Sequence, residues 1–265
     1  MFAVERIKKI KEIVYERKKV DVITLSNELS VSDVTIRRDL EKLENESFLT
    51  RSHGGAILNE YLNVIDSQLI LPLDTTNAHE KQTIGKLCSH MVNDNDTIIL
   101  GPGTTSRYIA KNLDNKKNIK VVTTDILVAA ELIKLSATSD IKVVLTGGDV
   151  EASNYQLVGR IAEKAFDNFY VNIAFVEVDG VSFDRGYSVS SVEKGFIIKA
   201  IASVSKDVVA VCDYTKFNDI SFSPLGPVNM FKKVVSNEQT PTEFKEYYFE
   251  NNIQLVTTFD IYENL

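Results

Sequence analysis

Cysteine is scarce in this sequence, since only Cys88 and Cys212 occur among 265 residues. Neither lies in a spacing typical of metal ligands, and Cys212 falls within an apolar, strand-like run. Two isolated thiols are typical of reduced cysteines in a cytoplasmic protein and give no support to a disulfide framework. We therefore predict a cytoplasmic protein with neither a metal site nor a bound cofactor.

Long hydrophobic runs are also absent. No stretch approaches the roughly 18 apolar residues that a membrane span requires. Residues 1–19 are charged and helical in period, without the continuous apolar region of a signal peptide. Internal repeats and low-complexity tracts are missing as well. The chain length predicts a small domain together with a larger one of about 150–200 residues.

The sequence has no excess of positive charge, because its formal net charge is −7. That total by itself argues against a nucleic-acid partner. Residues 1–58, however, contain eleven basic and ten acidic side chains, so the remaining residues carry a charge of −8. The acidity therefore belongs to the larger part, and the small part can present a basic face to DNA.

The clearest pattern that is present is a short amphipathic helix within the segment SDVTIRRDLEKL. Ile36, Leu40 and Leu43 share one face of this helix and can pack on a core. Arg37 and Arg38 point elsewhere, where a core would not accept them. The pattern therefore predicts a helix with one buried face and a pair of exposed arginines.

The surrounding sequence predicts a winged helix-turn-helix. Ser32 occupies the position of an N-cap, which leaves first-turn amides to meet an anion. Residues 2–17 are predicted to form a bracing helix and residues 23–29 the positioning helix. Downstream, FLTRSHGGAIL alternates apolar and polar residues, which is typical of a small hairpin carrying Arg51 and His53.

TIRRDLEKLE followed by LTRSHGGA resembles the N-terminal signature of the DeoR family of bacterial transcription regulators. The match covers nearly all of residues 2–58. We expect this part to bind double-stranded DNA, with the recognition helix in the major groove. The expected DNA contacts are Ser32, Thr35, Arg37, Arg38, Arg51 and His53. The alternative is that Arg37 and Arg38 form only a solvated face, paired with Asp33 or Glu41.

The periodicity changes twice along the chain. Residues 59–77, with Pro72, are predicted to be a linker between a DNA-binding domain over 1–58 and an α/β domain over 78–265. Seven apolar runs predict strands, at 97–100, 120–124, 142–147, 172–180, 208–213, 232–237 and 253–258. The helical patterns lie at 81–91, 106–113, 126–135, 158–166 and 192–203. β-branched runs that alternate with helices predict a largely parallel sheet, buried on both faces.

In open α/β sheets, ligands bind beyond the carboxyl ends of the strands. The segment GPGTTSRYIAKNL lies at such an end, with Gly103 in a turn and with Thr104 and Thr105 opening a helix. Free amides, the helix dipole and two hydroxyls suit a phosphate group. The alternative is an ordinary strand-to-helix turn.

Other predicted strand ends also carry polar residues or glycines. Thr124 follows the second strand, where a plain helix cap by Thr124 or Asp125 is the alternative role. Gly147 and Gly148 follow the third strand and can be merely a turn. Lys216, after the fifth strand, can neutralise a phosphate.

The order GTT, VVTT, LTGG, LVG, VDG and D-x-x-KF is similar to that of the DeoR-type sensor domain over about residues 78–236. That domain is related to the ribose-phosphate isomerase, glucosamine-phosphate deaminase and CoA-transferase fold. The resemblance implies a phosphorylated sugar, or a related metabolite, as effector. The residues that it places at the ligand are Gly103, Thr104, Thr105, Asp179, Glu193, Lys199 and Lys216; Thr124, Gly147 and Gly148 complete the predicted site.

Two departures from the family pattern affect this site. The loop begins with Gly101-Pro102 in place of Asp and a small residue, and Glu177-Val178 stands where Gly-Ala usually precedes Asp-Gly. A carboxylate beside a phosphate repels it unless the carboxylate is paired. Three possibilities follow: the effector differs, Glu177 points away, or sensing is impaired.

The function predicted is that of a DNA-binding repressor of sugar metabolism genes, forming a homodimer or homotetramer, with no membrane association. One alternative is a sugar-phosphate isomerase or deaminase with Asp179 or Glu193 as base. The other is a regulator controlled by a protein partner. We predict that the chain is not an enzyme, because no independent catalytic signature is present. His79 and His90 are expected to be surface residues.

Overall fold

The computed structural model describes residues 3–46, 48–52, 54–59, 76–136 and 139–258. The chain divides into two compact units, Met1–Pro72 and Leu73–Leu265. The predicted linker over 59–77 falls almost wholly on residues 60–75, which lie outside the described residues, as does His53. Its boundaries therefore stay a prediction.

The first unit is a winged helix-turn-helix, as predicted. Its elements are α1 (Ala3–Arg17), β1 (Lys19–Asp21), α2 (Val22–Leu29), α3 (Asp33–Asn45), β2 (Leu49–Ser52) and β3 (Gly55–Leu58). The strands form an antiparallel sheet in the order β1-β3-β2. A Cβ on Gly55 would lie 1.9 Å from the Val20 carbonyl oxygen, so only glycine lets β3 approach β1 this closely.

The core of this unit uses the predicted apolar stripe. Ile36, Leu40 and Leu43 of α3 are fully buried against Ile10 of α1 and Leu25 of α2. Burial of side chains of this size contributes about 1.5–3 kcal/mol each. The packing fixes which face of α3 remains for solvent and hence for DNA.

The second unit is an α/β domain. Its helices are α4 (Ala78–His90), α5 (Thr104–Lys111), α6 (Ile126–Ser136), α7 (Gly159–Ala165), α8 (Val192–Val204) and α9 (Thr242–Glu250). The strands of its main sheet are β4 (Thr97–Leu100), β5 (Ile119–Thr123), β6 (Ile141–Leu145), β9 (Val171–Glu177), β12 (Ser205–Val211), β14 (Lys233–Val235) and β15 (Gln254–Val256). These are the seven predicted runs, and every pairing between them is parallel.

The strand order of the main sheet is β15-β14-β12-β9-β4-β5-β6, so β4 and β9 lie side by side at its centre. Five further strands were not predicted: the hairpin of β7 (Asp149–Glu151) and β8 (Gln156–Val158), and a sheet of β10 (Gly180–Ser182), β11 (Gly186–Val189) and β13 (Ser223–Gly226). They are three or four residues long.

The main sheet is buried on both faces, as predicted. Phe175 of β9 packs on the side that carries α4, α5 and α6, whereas Val176 packs on the side of α7 and α8. This alternation directs Glu177, the last residue of β9, toward the face that carries α5. Because all seven strands are parallel, their carboxyl ends meet at one edge, where the predicted ligand residues follow.

Cys88 and Cys212 are free and buried. Among the described residues, no helix has both the length and the apolar character needed to cross a membrane.

Candidate DNA-binding surface and effector site

The recognition helix α3 begins at the predicted cap. The Ser32 Oγ accepts a hydrogen bond from the Thr35 backbone N–H at 3.4 Å and lies 2.9 Å from the Thr35 hydroxyl. This confirms Ser32 as the N-cap. The Thr35 amide is therefore engaged by the cap, and the expected DNA contacts of these two residues would use their hydroxyl groups.

Arg37 and Arg38 are exposed on the face of α3 away from the core. Within the described part of the chain, neither forms an ion pair, so the pairing with Asp33 or Glu41 is not observed. Two unpaired guanidinium groups on a recognition helix are available to phosphate oxygens and guanine edges.

Arg51 of the wing is held against the recognition helix. Its Nε lies 2.6 Å from Glu44 Oε2, and its backbone N–H donates to Glu44 Oε1 at 2.9 Å. The Arg51 backbone N–H and guanidinium lower the pKa of Glu44. A cleft of about 360 Å³ separates helix and wing there, lined by Val22, Arg37, Leu40, Glu44, Arg51, Ser52 and Gly55.

One structural pair of this unit was missed from the sequence. Asp39 lies in the buried stripe of α3 and pairs with Arg6 of α1; their side chains are 3% and 12% exposed. Asp39 is three residues after Ile36 and four before Leu43, so it occupies a stripe position. A carboxylate in an apolar stripe was a signal that a buried cation would meet it.

In the second unit, the predicted phosphate loop is already occupied by two carboxylates of the chain itself. The Gly103 N–H donates to Asp125 Oδ2 at 3.1 Å, and the Thr105 N–H donates to Glu177 Oε2 at 2.5 Å. Thr105 is buried and Thr104 is half-buried. Two amides at the start of α5 are thus engaged without any ligand.

Glu177 fills the concave side of the loop. A Cβ on Gly103 would lie 2.6 Å from Glu177 Cδ, which is too close for any other residue while Glu177 keeps this position. The φ angle of 145° at Gly103 also favours glycine. The Glu177 residue is 7% exposed. Of the three possibilities raised by the sequence, the structure excludes that Glu177 points away.

Asp125 is the N-cap of α6. Its Oδ1 accepts the N–H groups of Leu127 at 2.8 Å and Val128 at 3.0 Å. Burial raises the pKa of Asp125; the three backbone N–H groups oppose this, and the nearby Glu177 adds to it, so the net shift is upward. Asp125 and Glu177 thus form a pair of buried acidic groups beneath the loop.

Asp179 has a partner that the sequence did not identify. Lys194 Nζ lies 2.8 Å and 2.9 Å from the two Asp179 carboxylate oxygens, and the Ser190 N–H donates to Oδ2 at 2.7 Å. Lys194 is 4% exposed. Burial raises and Lys194 and Ser190 lower the pKa of Asp179, and the net shift is downward.

A sequence signal for Lys194 existed. Lys194, Ile197, Ile198 and Ile201 form the buried stripe of α8, so a lysine occupies a core position. The predicted ligand residues Glu193 and Lys199 lie on the same helix but are exposed. The structure therefore brings Lys194, and neither of those two, to Asp179.

Lys216 lies in the 3₁₀ turn Tyr214–Lys216 after β12 and is half-buried. It forms no ion pair with a described residue. Burial, Asp213 and Glu177 raise the pKa of the Cys212 thiol, and Lys216 opposes them. Lys216 and Glu177 follow or end adjacent strands, β12 and β9, at the same edge of the sheet.

The remaining predicted residues differ in their surroundings. Thr124 is buried, and its hydroxyl has no hydrogen-bond partner among the described residues. A Cβ on Gly148 would lie 2.7 Å from the Val158 carbonyl oxygen, so this glycine allows close packing beside α7, whereas Gly147 has open space around it. The described residues contain no group of three or more His, Cys, Asp or Glu that could hold a metal ion.

A winged helix-turn-helix with free arginines, together with an α/β unit of this topology, defines a two-domain DNA-binding regulator. The DeoR-like helix-turn-helix domain matches residues 6–61, and the DeoR C terminal sensor domain matches residues 76–238. The chain belongs to the DeoR family and is a DNA-binding transcription regulator.

Two bacterial regulators and one solved structure are among the proteins to which the chain is similar. The chain is 32% identical over 238 residues to the helix-turn-helix transcriptional regulator YulB of Bacillus subtilis (strain 168), covering 89% of this chain and 90% of that one. It is 27% identical to the transcriptional repressor GlcR of the same organism, with 97% of each chain covered. Ribose 5-phosphate isomerase A of Methanocaldococcus jannaschii aligns at a TM-score of 0.39 and 17% identity, over 53% of this chain and 55% of that one.

Proposed function

We propose that the protein is a repressor of sugar metabolism genes whose operator affinity is controlled by a phosphorylated sugar. The observation that carries the effector part is the meeting of the 103–105 loop, Asp179 and Lys216 at one edge of the parallel sheet, within the region matched by the sensor-domain family. This edge is where open α/β sheets bind ligands.

The chemistry of these residues suits a sugar phosphate. The loop has the dipole of α5 and the Thr104 and Thr105 hydroxyls for a phosphate group, together with two amides that Asp125 and Glu177 occupy in the free protein. Lys216 supplies a positive charge that no described carboxylate neutralises. Asp179 would accept hydrogen bonds from sugar hydroxyls, with the Thr124 hydroxyl, Gly147 and Gly148 nearby in the proposed site. Glu193 and Lys199 are placed there by the family resemblance alone, since both are exposed on α8.

Effector binding would change the operator affinity by favouring one of two states of the protein. A tenfold change in affinity requires a preference of only about 1.4 kcal/mol. We propose that the bound sugar phosphate releases DNA.

The expected result of calorimetry with a panel of ketose and hexose phosphates is saturable binding of at least one of them. The Thr104→Val, Thr105→Val double variant should bind it about tenfold more weakly, because two hydroxyl donors are lost. Lys216→Ala should weaken binding to a similar degree. The matched control is Lys206→Ala, an exposed lysine near the start of β12, whereas Lys216 lies in the turn after the end of that strand. If all four proteins bound the sugar phosphate with equal affinity, the proposal that its phosphate binds at this loop would be refuted.

We also propose that the chain is not an enzyme. Asp179, a candidate base, is engaged by Lys194 and the Ser190 N–H, and Glu193 is exposed. Sugar phosphates incubated with the protein should therefore be recovered unchanged; conversion at a rate proportional to protein concentration would contradict this.

The proposed assembly is a homodimer or homotetramer. One helix-turn-helix makes few base contacts, and pairing two of them raises the effective concentration of the second on repeated half-sites. Light scattering at micromolar protein concentration should give a mass of at least twice 29.7 kDa. A monomer in both the presence and the absence of operator DNA would refute the assembly.

A further inference from the structure

The loop proposed to hold the effector phosphate contains an acceptor group that belongs to the chain. Glu177 Oε2 receives the Thr105 N–H at 2.5 Å, and all three atoms of the Glu177 carboxyl group lie within 2.9 Å of the position a Cβ on Gly103 would take. A ligand phosphate that used the same amide would occupy the same space. The two groups cannot be bound by the loop at once.

We propose that Glu177 is an internal ligand of the 103–105 loop, which an effector phosphate must displace, so that Glu177 sets the anion affinity of the sensor domain. This inference rests on the proposed function, because it identifies what the effector has to replace. It assigns to Glu177 the role of a specificity-determining residue.

Charge supports this assignment. Glu177 lies beside Asp125, which accepts the Gly103 N–H, so the loop is flanked by two acidic side chains. Like charges at short distance in a buried site repel strongly, because the dielectric screening is low. In the free protein, a phosphate group therefore finds the Thr105 N–H already bonded to Glu177 and is repelled by the two acidic side chains. Only a ligand that gains enough contacts elsewhere, such as from its sugar hydroxyls, displaces Glu177.

Lys216 is the cation available to whichever anion occupies this region. It is half-buried, forms no ion pair with a described residue, and follows β12, which lies beside β9, the strand that ends at Glu177. The side chain of Lys216 can therefore compensate for the charge of an incoming phosphate or that of the released Glu177 carboxylate.

The test uses inorganic phosphate as the probe and the full-length chain, with affinity obtained from thermal melting at increasing phosphate concentration. Glu177→Gln keeps the size of the side chain but removes its charge; Glu177→Ala also empties the loop. Both variants should bind phosphate at least about tenfold more tightly than wild type, because both remove the negative charge of Glu177 that repels it. Glu177→Ala should bind phosphate more tightly than Glu177→Gln, because it also removes the side chain that occupies the loop. Adding Lys216→Ala to Glu177→Ala should abolish the gain in phosphate affinity.

The matched control is Asp96→Ala. Asp96 Oδ2 accepts the Asn93 N–H at 2.8 Å just before β4, at the opposite end of that strand from the loop. This variant loses a carboxylate that accepts a backbone N–H but should gain no phosphate affinity. A gain equal to that of the Glu177 variants would show general charge relief and overturn the proposal.

The outcomes separate this inference from the proposed function. If wild type and Glu177→Gln had the same affinity for phosphate, and the same affinity for each sugar phosphate, the role of Glu177 would be overturned. The sugar-phosphate effector would be left intact. Tighter phosphate binding by both Glu177 variants, with no sugar phosphate altering operator affinity, would support the internal ligand and refute the effector. No phosphate binding by either Glu177 variant would overturn the internal ligand, whereas the effector is refuted only if no sugar phosphate binds or alters operator affinity.

Discussion

An Arg37→Ala, Arg38→Ala double variant of the full-length protein is expected to bind its operator about 100-fold more weakly than wild type at fixed salt. The reason is that each arginine that pairs with a guanine edge contributes about 1–3 kcal/mol of discrimination. Both side chains are exposed on the recognition helix, and neither has an ion-pair partner among the described residues. Fluorescence anisotropy of a labelled operator duplex measures the change.

The matched control for this loss is Lys120→Ala, Lys142→Ala, which removes the same charge from two exposed positions of the α/β unit. Its operator affinity should stay close to that of wild type. The arginine variant should also lose more affinity for the operator than for an unrelated duplex, because base contacts carry sequence information and phosphate contacts do not. Unchanged operator affinity in the arginine variant would refute the placement of α3 in the major groove.

Lys194→Ala is expected to lower the free energy of unfolding by about 3 kcal/mol near neutral pH, because it leaves the Asp179 carboxylate largely buried without its cation. Asp179 is 19% exposed and Lys194 is 4% exposed. Urea denaturation measures the difference. The matched control is Lys199→Ala on the exposed face of the same helix, which should remain within about 0.5 kcal/mol of wild type.

The effect of Lys194→Ala should depend on pH. The pKa of Asp179 lies below its ordinary value of 3.8, so its stabilising contribution is present above 3.8 and is lost as the pH falls through the lowered pKa. The difference between wild type and variant should therefore shrink as the pH falls below 3.8. A difference that is constant from neutral pH into this range would show that packing, and not the ion pair, is responsible.

The main sheet could be predicted because each of its strands is a short run of apolar, β-branched residues. β4 and β9 lie in the middle of it and are apolar on both faces, which is the pattern of a doubly covered parallel sheet. α9 was missed although Phe244, Tyr247 and Tyr248 stand at i, i+3 and i+4, the spacing of one helical face, because the helix is only nine residues long.

In each of the ion pairs Arg6–Asp39 and Lys194–Asp179, one of the two residues could be predicted from the sequence to need a buried partner. In both, a charged residue occupies a buried position of an otherwise apolar helical stripe, which indicates a buried partner. The partner's identity depended on which distant element packs there: Arg6 lies 33 residues from Asp39 in sequence. Local periodicity carries no information about such a contact.

The role of Glu177 was also only half predictable. Its place at the end of β9 was evident from the sequence, and so was the conflict between a carboxylate and a phosphate. The direction in which its side chain points could not be predicted. It depends on the parallel pairing of β9 with β4, which places residue 177 beside the loop after β4. Thr105 is 72 residues away in sequence, so only the sheet order brings it to Glu177.

The central claim is that a phosphorylated sugar in the α/β domain controls DNA binding by the helix-turn-helix domain. The most direct measurement is operator anisotropy with the wild-type protein, titrated with a panel of sugar phosphates and with the same sugars lacking phosphate. We expect at least one sugar phosphate to weaken operator binding about tenfold or more, corresponding to about 1.4 kcal/mol of coupling, and its unphosphorylated form to have no effect. Operator affinity that is the same with every sugar phosphate, or that responds equally to the unphosphorylated sugar, would contradict the claim.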